Sequence, residues 1–266
     1  MIKTIHRFFY AWLFLTKFPA PPLPKATKED WGRIAPYFVL IGFILGFMLF
    51  YPAKLLTFYK MPVMFSSLLI LFIWNMLTGG LHLDGLMDTF DGINCQDPAR
   101  KLEAMKDSRV GAFGVMAGIF VILFKLVTLC TLLLNKEFLV LLIAVPFSRL
   151  IVVYAFTFLG SNNQASISSS LILAGVKKPK DLFVNLVFFT MGCILVMFTL
   201  NPHSAIFHPI AAFMFVILSF TLCIGWAHWL DNHFKGHTGD TFGALVEISE
   251  VTVLSLGVFF KDYFVM

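Results

Sequence analysis

Leu68-Leu69-Ile70-Leu71-Phe72-Ile73-Trp74-Asn75-Met76 sets apolar side chains at consecutive positions, interrupted once by Asn75. A strand of a membrane barrel would instead alternate in polarity over segments of about ten residues, so this run predicts a helix. Comparable runs recur along the chain. Its 266 residues are 59% hydrophobic and 13% charged, with a mean hydropathy of +0.85, where a soluble domain carries about a quarter charged residues. A bilayer core of about 30 Å takes roughly 20 apolar residues per helix. Candidate spans lie near 34–53, 62–80, 110–134, 138–160, 182–200, 204–230 and 241–260. The expected fold class is all-α, a polytopic transmembrane helix bundle of about seven spans forming one domain over 1–266. The last span is the weakest, because Glu247 and Glu250 interrupt it.

Fourteen of the twenty Lys and Arg residues fall on one side of these spans and four on the other. The positive-inside rule then places the N-terminus in the cytoplasm and, with seven spans, the C-terminus outside. The same rule explains the net charge of +5 without a nucleic-acid partner. Residues 1–30 read as a retained N-terminal interfacial segment, because no small-x-small cleavage site precedes Pro19, Pro21, Pro22 and Pro24. Cys95, Cys130, Cys193 and Cys223 form no C-x-x-C pair and read as packing residues. The polar 161–181 loop reads as a linker in preference to a lid.

Four of the fifteen acidic residues fall between positions 84 and 97, in an acidic loop over 81–109 placed on the cytoplasmic side. Asp84, Asp88 and Asp91 are spaced i, i+4, i+7, which on a helix puts them within about 60° on one face. Like charges so arranged repel by a few tenths of a kcal/mol per pair, and a hard divalent cation is the natural compensator. Mg²⁺ uses one or two carboxylates together with waters and substrate phosphates, so the stripe suits Mg²⁺ with a phosphate ligand. The alternative is a solvated loop whose acids balance Arg100, Lys101, Lys106 and Arg109; the spacing, the position at a membrane face and Gly79, Gly80, Gly85 and Gly92 disfavour it.

Lys125 and Arg149 sit inside apolar spans, where an unpaired charge costs several kcal/mol, so each is a functional candidate with snorkelling as its alternative. Gly236-His237-Thr238-Gly239-Asp240-Thr241-Phe242-Gly243 reads as a Gly-flanked turn entering a helix, with Asp240 and Glu247 on one face and Glu250 a turn later. These acids either balance Lys125 and Arg149 or complete a metal and base constellation. His82 abuts the aspartates; His203, His208, His228 and His233 read as interfacial or packing residues, and no zinc spacing occurs.

Several blocks together resemble the cobalamin synthase family, the adenosylcobinamide-GDP ribazoletransferases or cobalamin-5′-phosphate synthases. They are Phe14-Leu15-Thr16-Lys17-Phe18-Pro19, Gly79-Gly80-Leu81-His82 through Asp91-Gly92, and Met105-Lys106-Asp107-Ser108-Arg109-Val110-Gly111-Ala112-Phe113-Gly114, followed by Ser148-Arg149 and Gly239-Asp240-Thr241 with Glu247 and Glu250. The resemblance implies attack by a ribose hydroxyl of α-ribazole, or its 5′-phosphate, on adenosylcobinamide-GDP with loss of GMP, in the late steps of cobalamin biosynthesis. It also implies Mg²⁺ and a bacterial or archaeal cytoplasmic membrane. On that basis Asp84, Asp88 and Asp91 are assigned to Mg²⁺, and Lys106, Arg109, Lys125 and Arg149 to phosphates. His82 and Gly239 are assigned to substrate, and Asp240 to a second metal position or to the base. Expected partners are the two small-molecule substrates and membrane lipid, with a homo-oligomer left open.

Two other classes are disfavoured. A CDP-alcohol phosphatidyltransferase would place Ala-Arg after its first Asp-Gly-x-x, where this chain has Asp88-Thr89. A secondary transporter would place its site at the bilayer midplane, usually between internal repeats.

Overall fold

The computed structural model describes residues 2–97, 100–107, 109–160, 179–200 and 209–264. Eleven helices and one 3₁₀ turn make up these residues: α1 (Ile2–Leu15), α2 (Lys28–Trp31), the 3₁₀ turn Ala35–Tyr37, α3 (Phe38–Phe58), α4 (Val63–Thr78), α5 (Leu81–Asn94), α6 (Lys101–Lys106), α7 (Ala112–Leu134), α8 (Phe138–Phe158), α9 (Pro179–Leu200), α10 (Pro209–Phe234) and α11 (Gly239–Phe264). No strand occurs among them. Among the described residues six stretches are long and apolar enough to cross a membrane, or seven when the pair α4 and α5, bent by 86°, is counted as one span. The polytopic all-α bundle expected from composition is therefore the observed architecture. The 161–178 part of the polar loop, with His203 and His208, lies outside the described residues.

The bend decides where the acidic stripe goes. Gly79 and Gly80 are both left-handed, with φ of 63° and 69°, a conformation that costs other L-residues about 1–2 kcal/mol each. Two such residues in succession stop α4 and restart the chain as α5 at 86° to it. The 81–109 segment, expected as a loop, is thus largely helix: α5 turns off the α4 axis across the end of the bundle and packs against α7 and α11.

Small residues set the helix crossings. A side-chain carbon at Gly42 would lie 2.5 Å from Pro146 Cα, and one at Gly46 2.7 Å from the Leu142 carbonyl oxygen, so α3 and α8 touch backbone to backbone. Helix α8 is the centre of the bundle, with Val140, Leu141, Ala144, Val145, Ile151 and Ala155 all buried. Glu247 and Glu250 do not break the last span; α11 runs continuously through both, because each is paired inside the bundle.

Successive spans alternate, which brings the starts of α3, α7, α9 and α11 and the ends of α4, α8 and α10 to one face. Hydrogen bonds that tie that face together include Lys17 N–H to the Leu77 carbonyl at 3.0 Å, the Asn185 amide to the Ala35 carbonyl at 3.0 Å, and His237 N–H to the Gly160 carbonyl at 2.9 Å. The N-terminal segment belongs to the same face. Tyr10 donates to the Pro24 carbonyl at 2.8 Å, and Arg7 pairs with Asp30 at 3.1 Å.

Candidate active site

Helices α5 and α11 meet through glycine. A side-chain carbon at Gly85 would lie 2.8 Å from the Asp240 carbonyl oxygen, and one at Gly243 3.2 Å from the His82 carbonyl oxygen. This close approach brings His82, Asp84 and Asp88 of α5 beside Asp240 of α11. Asp88 lies partly buried near Asp84, Asp240 and Asp91.

A cavity of about 220 Å³ opens beside this contact. His82, Asp84, Arg149, Gly239 and Asp240 form its polar lining, and Phe14, Leu15, Phe38, Val152, Phe156 and Phe242 are among its apolar ones. The start of α11 is well built. Thr238 caps it, its hydroxyl accepting from Thr241 N–H at 3.3 Å while Thr241 Oγ1 accepts from Thr238 N–H at 2.7 Å. His237 faces Thr241 Oγ1 with one ring nitrogen and the Ala227 carbonyl with the other. Burial lowers its imidazole to about 4, so the ring is neutral. Gly239 stands in the first turn, where backbone N–H groups and the helix dipole favour anions.

Arg149 is fully buried. Its Nη1 donates to Ser148 Oγ at 2.7 Å and to the Glu250 carboxylate, while Nε and Nη2 have no partner among the described residues. A buried charged donor left unpaired costs several kcal/mol, so this edge of the guanidinium suits a ligand anion. The Nδ1 atom of His82, also buried, likewise has none.

Lys125 has a different place. Its ammonium lies 2.7 Å from Glu247 and 2.6 Å from Glu250, with its Nζ 4.5 Å from the Trp74 ring centroid, and it does not line the cavity. Between the two readings open in the sequence, charge balance within the bundle is the one the geometry supplies: Lys125 and Arg149 face Glu247 and Glu250.

The remaining sequence candidates separate. Asp91 keeps its place on the stripe, but its two carboxylate oxygens accept from Gly111 N–H at 2.7 Å and Gly114 N–H at 2.8 Å, which ties α5 to the start of α7. Lys106 ends α6 within electrostatic reach of Asp240. Arg109 stands exposed and pairs with Asp107 at 2.7 Å, which, through hydrogen bonds from Arg109, holds the Asp107 carboxyl down at about 2. Sequence reasoning missed Asn185, which accepts from Val39 N–H at 3.1 Å and fastens α9 to α3; an Asn inside an apolar span was the available signal.

The model of the family described as cobalamin-5-phosphate synthase matches residues 7–258. The adenosylcobinamide-GDP ribazoletransferase of Thermosynechococcus vestitus is 34% identical over 89% of this chain and 88% of its own. The protein of that name from Synechococcus elongatus is 32% identical over 87% and 89%, and that from Thermoanaerobacter pseudethanolicus 31% identical over 95% and 97%. No solved structure matches. With its acidic stripe, Ser148-Arg149 pair and capped Gly239-Asp240-Thr241 turn gathered at one end of the bundle and matched almost from end to end, the chain belongs to the cobalamin-5-phosphate synthase family.

Proposed function

We propose that the protein joins adenosylcobinamide-GDP to α-ribazole, or to its 5′-phosphate, and releases GMP in the late steps of cobalamin synthesis. Family membership and the names of the relatives support this reading. The observation that carries it is Arg149: a fully buried guanidinium with two unpartnered nitrogens at the wall of a cavity that also presents Asp84, Asp240 and a helix N-terminus.

In the reaction a ribose hydroxyl oxygen forms a bond to the phosphorus that bears the aminopropanol arm. The bond from that phosphorus to the bridging oxygen breaks, and GMP departs with the oxygen. Negative charge spreads over the non-bridging and leaving oxygens, so positioning and cationic stabilisation dominate catalysis. Arg149 and the first turn of α11 offset this charge, and Asp240, in the cavity wall, takes the hydroxyl proton.

Asp84 and Asp88 would hold Mg²⁺. Among the described residues no three His, Cys, Asp or Glu side chains form a ready-made metal cage, and Mg²⁺ asks for none, since one or two carboxylates plus substrate phosphates suffice. When bound, the ion supplies further positive charge to the phosphate oxygens. Asp91, occupied with α7, positions the helix that carries the other two. The working face is the cytoplasmic one, because the basic N-terminal segment, α5 and α6 all lie on it.

The test is GMP release by purified protein in liposomes given both substrates, with and without Mg²⁺, beside Asp84→Asn. Release that depends on Mg²⁺ and disappears in the variant is expected. Absence of release from folded protein refutes the transferase reading, and unchanged release from Asp84→Asn refutes the metal assignment.

A further inference from the structure

Two cations and two anions lie buried together behind the cavity, with no more than 6% of any of the four side chains exposed. They are not equivalent. Glu250 bridges: Oε2 meets Lys125 at 2.6 Å and Oε1 meets Arg149 Nη1, with Ser148 Oγ also 3.3 Å from Oε1. Among the described residues Glu247 forms an ion pair with Lys125 alone. Only Arg149 of the four reaches the cavity.

The anchoring atom matters because a guanidinium is flat and rigid. With Nη1 fixed to Glu250 and Ser148, the plane cannot rotate, and the opposite edge, Nε–H with the inner N–H of Nη2, is left unpartnered. Those two N–H bonds are parallel and match the spacing of two oxygens on one phosphate. A lysine at this position would supply a point charge but no such edge.

We propose that Glu250 is a positioning residue, which holds the Nε/Nη2 edge of Arg149 in register for two oxygens of a single substrate phosphate, whereas Lys125 and Glu247 only balance the buried charge and are dispensable as a pair. The inference deepens the transferase reading and rests on it for the identity of the phosphate.

Two charge-neutral double variants separate the roles. Lys125→Met with Glu247→Met leaves Arg149 facing Glu250. Lys125→Met with Glu250→Met leaves Arg149 and Glu247, the same net charge and the same number of substitutions, but only Ser148 to hold Nη1. In lipid nanodiscs, GMP affinity by equilibrium dialysis, thermal unfolding, and kcat and KM for GMP release are measured for each. The first double is expected to stay within about threefold of wild type in all three. The second, which leaves Arg149 and Glu247 buried without their ion-pair partners, is expected to melt below the first and to lose about 10- to 100-fold in GMP affinity and kcat/KM, the range typical when a supporting partner is removed. Equal losses in both doubles, or no loss in the second, overturn the proposal. Arg149→Lys keeps the charge and serves if the doubles do not fold: it should lose GMP affinity like the second double, and wild-type affinity there overturns the two-oxygen edge. Should the first double and wild type bind GMP alike, the second bind it weakly, and none release it from substrates, the anchor stands and the transferase reading fails.

Discussion

Gly85→Ala tests whether the contact between α5 and α11 assembles the site. The added carbon would lie 2.8 Å from the Asp240 carbonyl oxygen and 3.0 Å from its Cα, against an ordinary contact of about 3.4–4 Å. Both atoms belong to the α11 backbone and cannot swing aside, so the helices must part by roughly 0.5–1 Å, the difference between those distances. Overpacking of this kind costs about 1–3 kcal/mol, and replacing a helical glycine by alanine returns about 1 kcal/mol. The net loss of stability is then about 0–2 kcal/mol. The separation acts directly on the spacing between Asp84 or Asp88 and Asp240, where a misplacement of about 1 Å lowers turnover by about 10²-fold. GMP release and thermal unfolding in the same liposomes read the two effects apart. Gly225→Ala is the control, since nothing lies within 4 Å of that position, and it should be neutral or stabilising. Wild-type turnover by Gly85→Ala would refute the claim that this crossing sets the site.

Gly79→Ala adds a carbon that collides with the Lys17 side chain in a left-handed residue of φ 63°, so it should cost about 1–2 kcal/mol, visible in thermal unfolding. Asp91→Ala removes the acceptor for Gly111 and Gly114 N–H; a lost helix cap costs about 0.5–2 kcal/mol, so the melting temperature should fall, whereas Asp84→Asn should melt as wild type. His237 is held near 4 by burial, below its unfolded value of about 6.5. The unfolded chain then binds more protons between these values, so stability should fall as pH drops from about 6.5 to 4, by up to about 3 kcal/mol. Melting curves across that range should flatten in His237→Asn. Chelation of Mg²⁺ should stop GMP release while leaving circular dichroism unchanged, because the fold is held by helix packing and buried ion pairs.

How far each element was legible in the sequence follows from the range of the interaction that fixes it. The spans depend on apolar runs within one helix, and the limits read from those runs match the observed helix ends to within five residues, the start expected near 204 lying outside the described residues; α4 covers Val63–Thr78 where 62–80 was expected. The paired glycines at 79 and 80 counted in the sequence as evidence against a solvated acidic loop, but a bend of 86° needs both in the left-handed state, which no periodicity reports. The fate of Lys125 was out of reach for a related reason. An acid at 247 and another at 250 are one turn apart on α11, and which of them meets Lys125 or Arg149 depends on how α11, α7 and α8 cross.

Asp91 shows why a shared face is not a shared role. Spacing puts Asp84, Asp88 and Asp91 on one stripe, and α5 preserves that stripe, yet the stripe meets different neighbours along its length. At about 1.5 Å of rise per residue, seven residues carry Asp91 about 10 Å beyond Asp84. That distance moves it from the cavity wall beside Asp240 to the start of α7, where Gly111 and Gly114, lacking side chains, let two backbone N–H groups reach its oxygens. Within one helix the same residue type therefore divides into a part at the cavity and a part that fixes the helix to its neighbour. Asp91 at one end and the glycine contact at Gly85 fix the helix, and so hold Asp84, with the half-buried Asp88 beside it, at the cavity.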